Sequence, residues 1–118
     1  MKDFAKIINS YYLLSEEENI QRQQNYLDNI EFIHASMGLA GEAGEVLDLV
    51  KKSVNYNTPL DREKFLDECG DTLHYLVRTL AEQGFTLDDA ASANLRKLER
   101  RYPDGYSNAA AVARKDMR

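Results

Sequence analysis

Two pairs of acidic residues are each spaced so that both members share one face of a helix. Glu42 and Glu45 form the first pair, and Glu68 and Asp71 form the second, both at i and i+3. Like charges at this spacing destabilise a helix by roughly a few tenths of a kcal/mol. Converging carboxylates become favourable when a hard divalent cation lies among them, since magnesium prefers oxygen ligands. The two pairs therefore predict a divalent metal site.

Glycines accompany both acidic pairs. Gly38, Gly41 and Gly44 surround the first pair, and Gly70 lies within the second. A glycine inside a helix costs about 1 kcal/mol relative to alanine. Because it lacks a Cβ, it lets another backbone or a ligand approach closely. One acidic pair alone would be common on an exposed helix, but two pairs embedded in small residues favour a functional site.

The hydrophobic pattern predicts four helices that would position these residues. Their expected ranges are about 3–14, 28–54, 59–83 and 86–102. The acidic run 16–18 is expected to be an exposed face or loop without chemistry. Thr86 and Asp89 form a capping box for the fourth helix, and Gly84 is expected to end the third.

The turn after the central helix sets the height of the acidic pairs. Thr58 is expected to cap the third helix, with Pro59 at its first position. If the chain reverses near Asn57, Glu45 lies 12 residues before the turn and Glu68 lies 11 after it. An antiparallel hairpin would then bring the four carboxylates together.

Composition indicates one all-α domain. The chain has 118 residues, of which 43% are apolar and 30% charged, a globular composition in which leucine and alanine favour helix. We expect residues 1–106 to form the domain and residues 107–118 a C-terminal tail or docking arm, since this end is poor in apolar residues. The whole chain has a net charge of −5. This argues against a nucleic-acid partner, because a protein that binds nucleic acid requires a clustered basic surface.

The compartment expected from the sequence is the cytoplasm. No apolar run approaches the roughly 20 residues of a membrane span or resembles a secretory signal, so no membrane partner is expected. The lone Cys69 cannot form an internal disulfide. Its apolar neighbours at helical spacing favour a buried structural thiol over a nucleophile.

The combined pattern resembles the signature of the MazG-like all-α NTP pyrophosphatases. The resemblance rests on Glu42-x-x-Glu45 followed, after 22 residues, by Glu68-x-x-Asp71, and on the segments 38–45 and 94–103. It implies a four-helix MazG-like bundle assembled as a homodimer or homotetramer. It also implies hydrolysis of nucleoside triphosphates to monophosphate and pyrophosphate with Mg²⁺, or Mn²⁺ in its place.

The resemblance assigns roles to individual residues. It implies that all four acidic residues bind metal. Because the attacking water requires a base or orienting carboxylate as well, we expect Glu45, on the metal face next to Gly44, to take that role, with Glu42 as the alternative base. A further set is expected to contact the substrate, namely Asn94, Lys97 and Arg101 on one face of the fourth helix and His34 near the base or sugar. Arg100 and Tyr102 are weaker candidates. Without the resemblance, this basic segment would be interpreted as a solvated helix end.

Two other functions remain open from the sequence. Glu31-x-x-His34 and Asp71-x-x-His74 resemble the ligand pairs of di-iron four-helix bundles, which would make the chain an oxidoreductase. That hypothesis leaves Glu42 and Glu45 without a role. The second alternative is a non-catalytic helical module whose acidic face binds metal or a partner. The sequence does not identify the preferred nucleobase.

Self-association is also predicted from the central helix. Leu39, Val46 and Leu49 lie outside its main apolar stripe. A monomer of this size would leave more apolar surface exposed than is usual if these residues faced solvent. We therefore expect them to contribute to an interface between copies of the chain.

Overall fold

The chain folds into helices without strands over residues 3–113, which are the residues that the computed structural model describes. Six helices occupy this range: α1 Phe4–Ser10, α2 Glu16–Asp28, α3 Ile30–Asn55, α4 Arg62–Ala81, α5 Leu87–Arg101 and α6 Asn108–Ala113. The predicted all-α class is confirmed, although four helices were expected over this range rather than six.

An antiparallel hairpin of α3 and α4 is the centre of the fold. These helices have 26 and 20 residues, and most of the tertiary contact in the described chain is between them. The reversal lies where the sequence places it, since Asn57 adopts a positive φ of 50°. The hairpin therefore carries both acidic pairs on one rigid unit.

The start of α4 differs from the prediction. Asp61 is the N-cap, and its carboxylate accepts a hydrogen bond of 3.1 Å from the Lys64 backbone N–H. The prediction that Thr58 caps this helix is therefore wrong. Both residues are favourable caps, but the segment from Thr58 to Leu60 remains in the connection. The box at α5 is confirmed, because Thr86 and Asp89 exchange hydrogen bonds of 2.8 and 3.2 Å.

The acidic run 16–18 is the first turn of α2 rather than a loop. Ser15 caps this helix by accepting a hydrogen bond of 3.1 Å from the Glu18 backbone N–H. Carboxylates are favourable at a helix N-terminus because they complement the macrodipole. The first helix accordingly ends at Ser10, short of the predicted position 14.

The two faces of α3 are used differently from the expectation. Leu39, Val46 and Leu49 are half-buried and share the α4-facing side of the helix with Ala35, the single buried residue between positions 3 and 113. The predicted main stripe is largely exposed instead, with Leu47 65% accessible. That stripe consists of Ile30, Ile33, Met37, Ala40, Ala43, Leu47 and Val50. The prediction assigned these faces the wrong way round, since periodicity alone does not tell which of two apolar faces packs within the chain.

Residues 107–118, the predicted tail, begin with a short helix. Ser107 lies before α6, and its hydroxyl accepts a hydrogen bond of 3.0 Å from the Ala110 backbone N–H. Residues 114–118 lie outside the described range, so the boundary at residue 106 stays a prediction. None of the helices between residues 3 and 113 combines the length and apolar character needed to cross a bilayer.

The chain leaves an unusually large surface accessible. Its accessible area is 10046 Å², whereas a compact monomer of 13.5 kDa is expected to expose about 6,500 Å². Its radius of gyration is 20.7 Å, against about 13.5 Å for a compact chain of this length. The helices therefore do not enclose a substantial core within one copy of the chain.

Candidate metal centre

The register of the α3–α4 hairpin brings acidic residues together near its middle. Toward one end, the Arg78 Nη2 atom lies 3.5 Å from the Glu31 Oε2 atom. Further along α3, Glu42 meets Glu68 and Asp71 of α4, and one carboxylate oxygen from each lies within 4.8 Å of the other two. A single antiparallel register of α3 and α4 therefore accounts for both contacts. We call Glu42, Glu68 and Asp71 the carboxylate group.

The electrostatics of the carboxylate group are unfavourable without a cation. A hydrogen bond to Glu42 raises the pKa of the Glu68 carboxyl, and partial burial and the charges of Glu42 and Asp71 add to that effect. The charge of Lys64 opposes it. The direction of this pKa shift means that Glu68 holds a proton more readily than an isolated glutamate does. A divalent cation would relieve the same repulsion.

Glu45 lies beside the carboxylate group rather than in it. It is exposed, and the group whose oxygens converge does not include it. The pKa of Lys52 is raised by its hydrogen bond to Asp48 and also by the charge of Glu45, so this carboxylate is close enough to Lys52 to interact with it. The structure thus brings together three of the four predicted ligands.

His34 lies on α3 between Glu31 and the carboxylate group. Its exposed ring meets the Tyr75 ring edge-on, with centroids 6.4 Å apart. Tyr75 follows Asp71 by four residues, one helical turn. The sequence pattern does not single out Tyr75 or Lys64, although each is four residues from a predicted ligand. That spacing is the signal that could have found them.

The residues predicted to contact the substrate lie on α5, outside the α3–α4 hairpin that carries the carboxylate group. Asn94 and Lys97 are exposed and Arg101 is half-buried, with its guanidinium carbon 5.8 Å from the centre of the Tyr102 ring. Because α4 continues for ten residues after Asp71, the end of α4 from which the chain proceeds to α5 lies about 15 Å further along the α4 axis. Their contact with substrate stays a prediction, as does that of Arg100.

Comparison with known families identifies the kind of domain that carries this arrangement. The model of the MazG nucleotide pyrophosphohydrolase domain matches residues 33–106, more than half of the chain. The chain belongs to the MazG nucleotide pyrophosphohydrolase domain family. The family resemblance seen in the sequence is therefore confirmed, and the matched range contains every predicted site residue.

One relative among curated proteins is the Gene 37 protein of Mycobacterium phage L5. It is 28% identical over 103 residues, which cover 83% of this chain and 90% of the relative. No solved structure matches the chain. The relative's name states no activity, so the family assignment rests on the MazG domain match.

The donor set of this MazG domain fits a hard divalent cation. Glu42, Glu68 and Asp71 offer oxygen atoms, the ligand type that magnesium selects, and magnesium is commonly held by only a few carboxylates together with substrate phosphates and water. Two of the three carboxylates are half-buried, which strengthens their interaction with a cation relative to bulk water. The spacing therefore meets the chemical requirement from which the site was predicted.

Glu68→Gln should separate metal binding from folding. We expect the metal-free melting temperature to stay the same or rise, because the substitution removes a charge from a repelling group. The rise in melting temperature on adding Mg²⁺ should shrink, since stabilisation by a ligand depends on its affinity for the native state. Thermal unfolding in EDTA and in Mg²⁺ measures both effects.

Asp67→Asn is the matched control for Glu68→Gln. Asp67 is the exposed neighbour of Glu68 and lies outside the carboxylate group, so its variant should keep the full Mg²⁺-induced rise. A Glu68→Gln protein that melts earlier in EDTA yet keeps that rise would make Glu68 a structural residue rather than a ligand.

Proposed function

We propose that this MazG domain is a magnesium-dependent nucleoside triphosphate pyrophosphohydrolase. It would convert an NTP or dNTP and water into the corresponding monophosphate and pyrophosphate. The observation that carries the proposal is the convergence of Glu42, Glu68 and Asp71 to within 4.8 Å inside the residues that match the family. Family membership supplies the substrate class, and the carboxylate group supplies a place for the cation that the substrate requires.

The acidic residues would divide the work between them. Glu42, Glu68 and Asp71 would hold Mg²⁺, or Mn²⁺ in its place, and Glu45 is near enough in sequence to serve as a fourth ligand. When bound, such a cation neutralises phosphate charge and lowers the pKa of water. Because Glu45 lies beside the group, its carboxylate would orient the attacking water and accept its proton. Glu42 is the alternative base.

Binding of the triphosphate requires local positive charge. The chain as a whole carries a net charge of −5, so it does not attract polyanions in general. Asn94, Lys97 and Arg101 share one face of α5 by their i, i+3 and i+7 spacing, and they would donate charge-assisted hydrogen bonds to phosphate oxygens. His34, eight residues before Glu42, would contact the base or sugar.

The di-iron alternative is disfavoured by what its proposed ligands contact. Glu31 forms an ion pair with Arg78 at 3.5 Å, and the His74 ring packs against Tyr75 with centroids 5.2 Å apart. The carboxylate group contains neither histidine. Over the described residues, Glu31, His34 and His74 therefore contact other residues of the hairpin instead of converging, and Asp71 is the one member of that ligand set in the carboxylate group.

The proposed reaction is tested by product analysis with a panel of nucleotides. The purified protein is incubated with each ribo- and deoxyribonucleoside triphosphate in Mg²⁺ or in EDTA, and chromatography resolves mono- and diphosphates while pyrophosphate is assayed separately. We expect equal amounts of monophosphate and pyrophosphate in Mg²⁺ only, and none from the Glu68→Gln protein. Diphosphate and orthophosphate as products would contradict the reaction. Metal binding without turnover of any nucleotide would favour the non-catalytic module.

Lys97→Ala should weaken substrate binding without unfolding α5. Loss of one charge-assisted phosphate contact should raise KM for the preferred triphosphate on the order of tenfold, with the circular dichroism spectrum unchanged. Arg96→Ala is the control, because Arg96 is also an exposed cation of α5 but points about 100° away from Lys97 on the helix. An equal rise of KM in both variants would mean that Lys97 contributes only to the general surface charge.

We further propose that a second copy of the chain covers the exposed side of α3, in a homodimer or homotetramer. The chain exposes about 3,500 Å² more than a compact monomer of its mass. Each partner in a standard interface buries only about 800 Å². Ala40, Ala43, Leu47, Val50 and Val54 form a continuous exposed apolar stripe at helical spacing. Such an excess is typical of obligate assemblies, whose subunits complete one another's cores.

Leu47→Glu should disrupt this assembly. Leu47 is 65% exposed in the isolated chain, and a charge at this position would be buried without a partner in the proposed interface. We expect sedimentation to shift toward the 13.5 kDa monomer and the melting temperature to fall. Leu13→Glu, at an 82% exposed site between α1 and α2, should leave both unchanged. Wild-type protein that sediments as a monomer at micromolar concentration would refute the proposal.

A further inference from the structure

Gly38 of α3 and Tyr75 of α4 are in direct contact across the hairpin. A Cβ atom built on Gly38 would lie 2.5 Å from Cδ1 and Cε1 of Tyr75 and 2.8 Å from its Cγ. Non-bonded carbon atoms are most favourable about 3.5–4.0 Å apart. Even a methyl group on Gly38 would therefore require a neighbour to move by about 1 Å.

The Tyr75 ring cannot relieve that clash by rotating in place. Cγ lies on the axis of ring rotation, so it would remain 2.8 Å from the added Cβ. Moving the whole side chain would disturb its edge-on contacts with His34 and His74 and the approach of the Arg78 guanidinium, 5.8 Å from the ring centre. Separation of the two helices is the response that keeps those contacts.

This contact forms the layer of the hairpin next to the carboxylate group. Gly38 precedes Glu42 by four residues, and Tyr75 follows Asp71 by four. Both steps are about 6 Å along the helix axis in the direction of the same end of the hairpin. A change of helix separation at Gly38 is therefore transmitted to the carboxylates over a single helical turn.

The other glycines near the acidic residues do not have this role. A Cβ on Gly41, Gly44 or Gly70 would meet nothing within 4 Å. A close approach is thus found within the chain at Gly38, made by a tyrosine ring rather than by the backbone or ligand that the sequence predicts. The neighbouring glycines supply matched controls at similar distance from the ligands.

We propose that the contact between Gly38 and Tyr75 fixes the separation of α3 and α4 at the carboxylate group, which makes both of them positioning residues for metal binding. The inference rests on the proposed role of Glu42, Glu68 and Asp71 as ligands. Magnesium demands near-ideal octahedral geometry with ligands at about 2.0–2.1 Å. A displacement of about 1 Å between the helices would therefore weaken the site while the helices themselves remain folded.

The test is a titration with Mn²⁺ alone, followed by the electron paramagnetic resonance signal of the free ion. Each protein is measured well below its own melting temperature in EDTA, so that loss of stability and loss of affinity are separated. We expect Gly38→Ala to weaken Mn²⁺ binding on the order of tenfold or more, the usual scale for residues that position ligands. Gly41→Ala should bind Mn²⁺ as the wild type does.

Two double variants test whether the ring is the cause. Gly38→Ala combined with Tyr75→Phe keeps the ring and should remain impaired. Gly38→Ala combined with Tyr75→Ala removes Cγ and the ring, and should recover most of the lost affinity. If the Gly38→Ala protein does not fold, recovery of both folding and Mn²⁺ binding by Tyr75→Ala, and not by Tyr75→Phe, gives the same answer.

The outcomes distinguish this inference from the proposed function. Wild-type protein that does not bind Mn²⁺ would remove the metal site itself. Wild-type binding with unchanged affinity in Gly38→Ala would show that the ring moves aside and would overturn the positioning role alone. A lower melting temperature with unchanged affinity would likewise reduce the contact to ordinary packing, and so would equal recovery by Tyr75→Phe and Tyr75→Ala.

Discussion

The mutual repulsion of three carboxylates across one helical hairpin is the constraint on which the site depends. Glu42, Glu68 and Asp71 converge to within 4.8 Å. The pKa of Glu68 is raised first by its hydrogen bond to Glu42, and then by partial burial and by the charges of Glu42 and Asp71. Packing elsewhere between α3 and α4 must therefore hold these side chains together. Two such contacts between α3 and α4 are that of Gly38 with Tyr75 and the ion pair of Glu31 with Arg78.

A second constraint comes from the shortage of core. Over residues 3–113 only Ala35 is fully buried, and the α3 side opposite α4 exposes an apolar stripe that includes Leu47. Burial of apolar area is the dominant favourable term in folding, so a hairpin that holds a repelling group needs more of it than one copy supplies. The proposed second copy would stabilise the hairpin by burying the side of α3 opposite α4. The stability of the metal site and that of the assembly would then be energetically linked.

Local signals account for the parts of this structure that the sequence predicts. The reversal near Asn57 and the box of Thr86 with Asp89 depend on residues within a few positions of one another, and both are found. Where two nearby residues offered the same local chemistry, the prediction had no way to choose. Asp61 rather than Thr58 caps α4, since both side chains can accept the same kind of hydrogen bond.

Tertiary contacts account for what the sequence does not predict. Leu39 and Leu47 both lie on apolar faces of α3, and only the position of α4 determines that Leu39 is half-buried and Leu47 exposed. The position of α4 also determines that Glu42 belongs to the carboxylate group and Glu45 does not. At three residues' spacing Glu45 is rotated about 60° around the helix, enough to leave the carboxylate group while remaining beside it. Spacing identified the right helix face but not the angular position of each side chain relative to α4.

The proposed metal ligands and the proposed substrate contacts lie in parts of the fold that are held by different amounts of packing. Glu42 lies at the midpoint of α3, and Asp71 lies at the midpoint of α4, far from helix ends that fray. Lys97 and Arg101 lie instead toward the end of α5, which has little contact with the hairpin. Metal affinity should then depend on how α3 and α4 pack, because a site on regular helices is held precisely. Substrate affinity should depend in addition on how assembly places α5 against the hairpin.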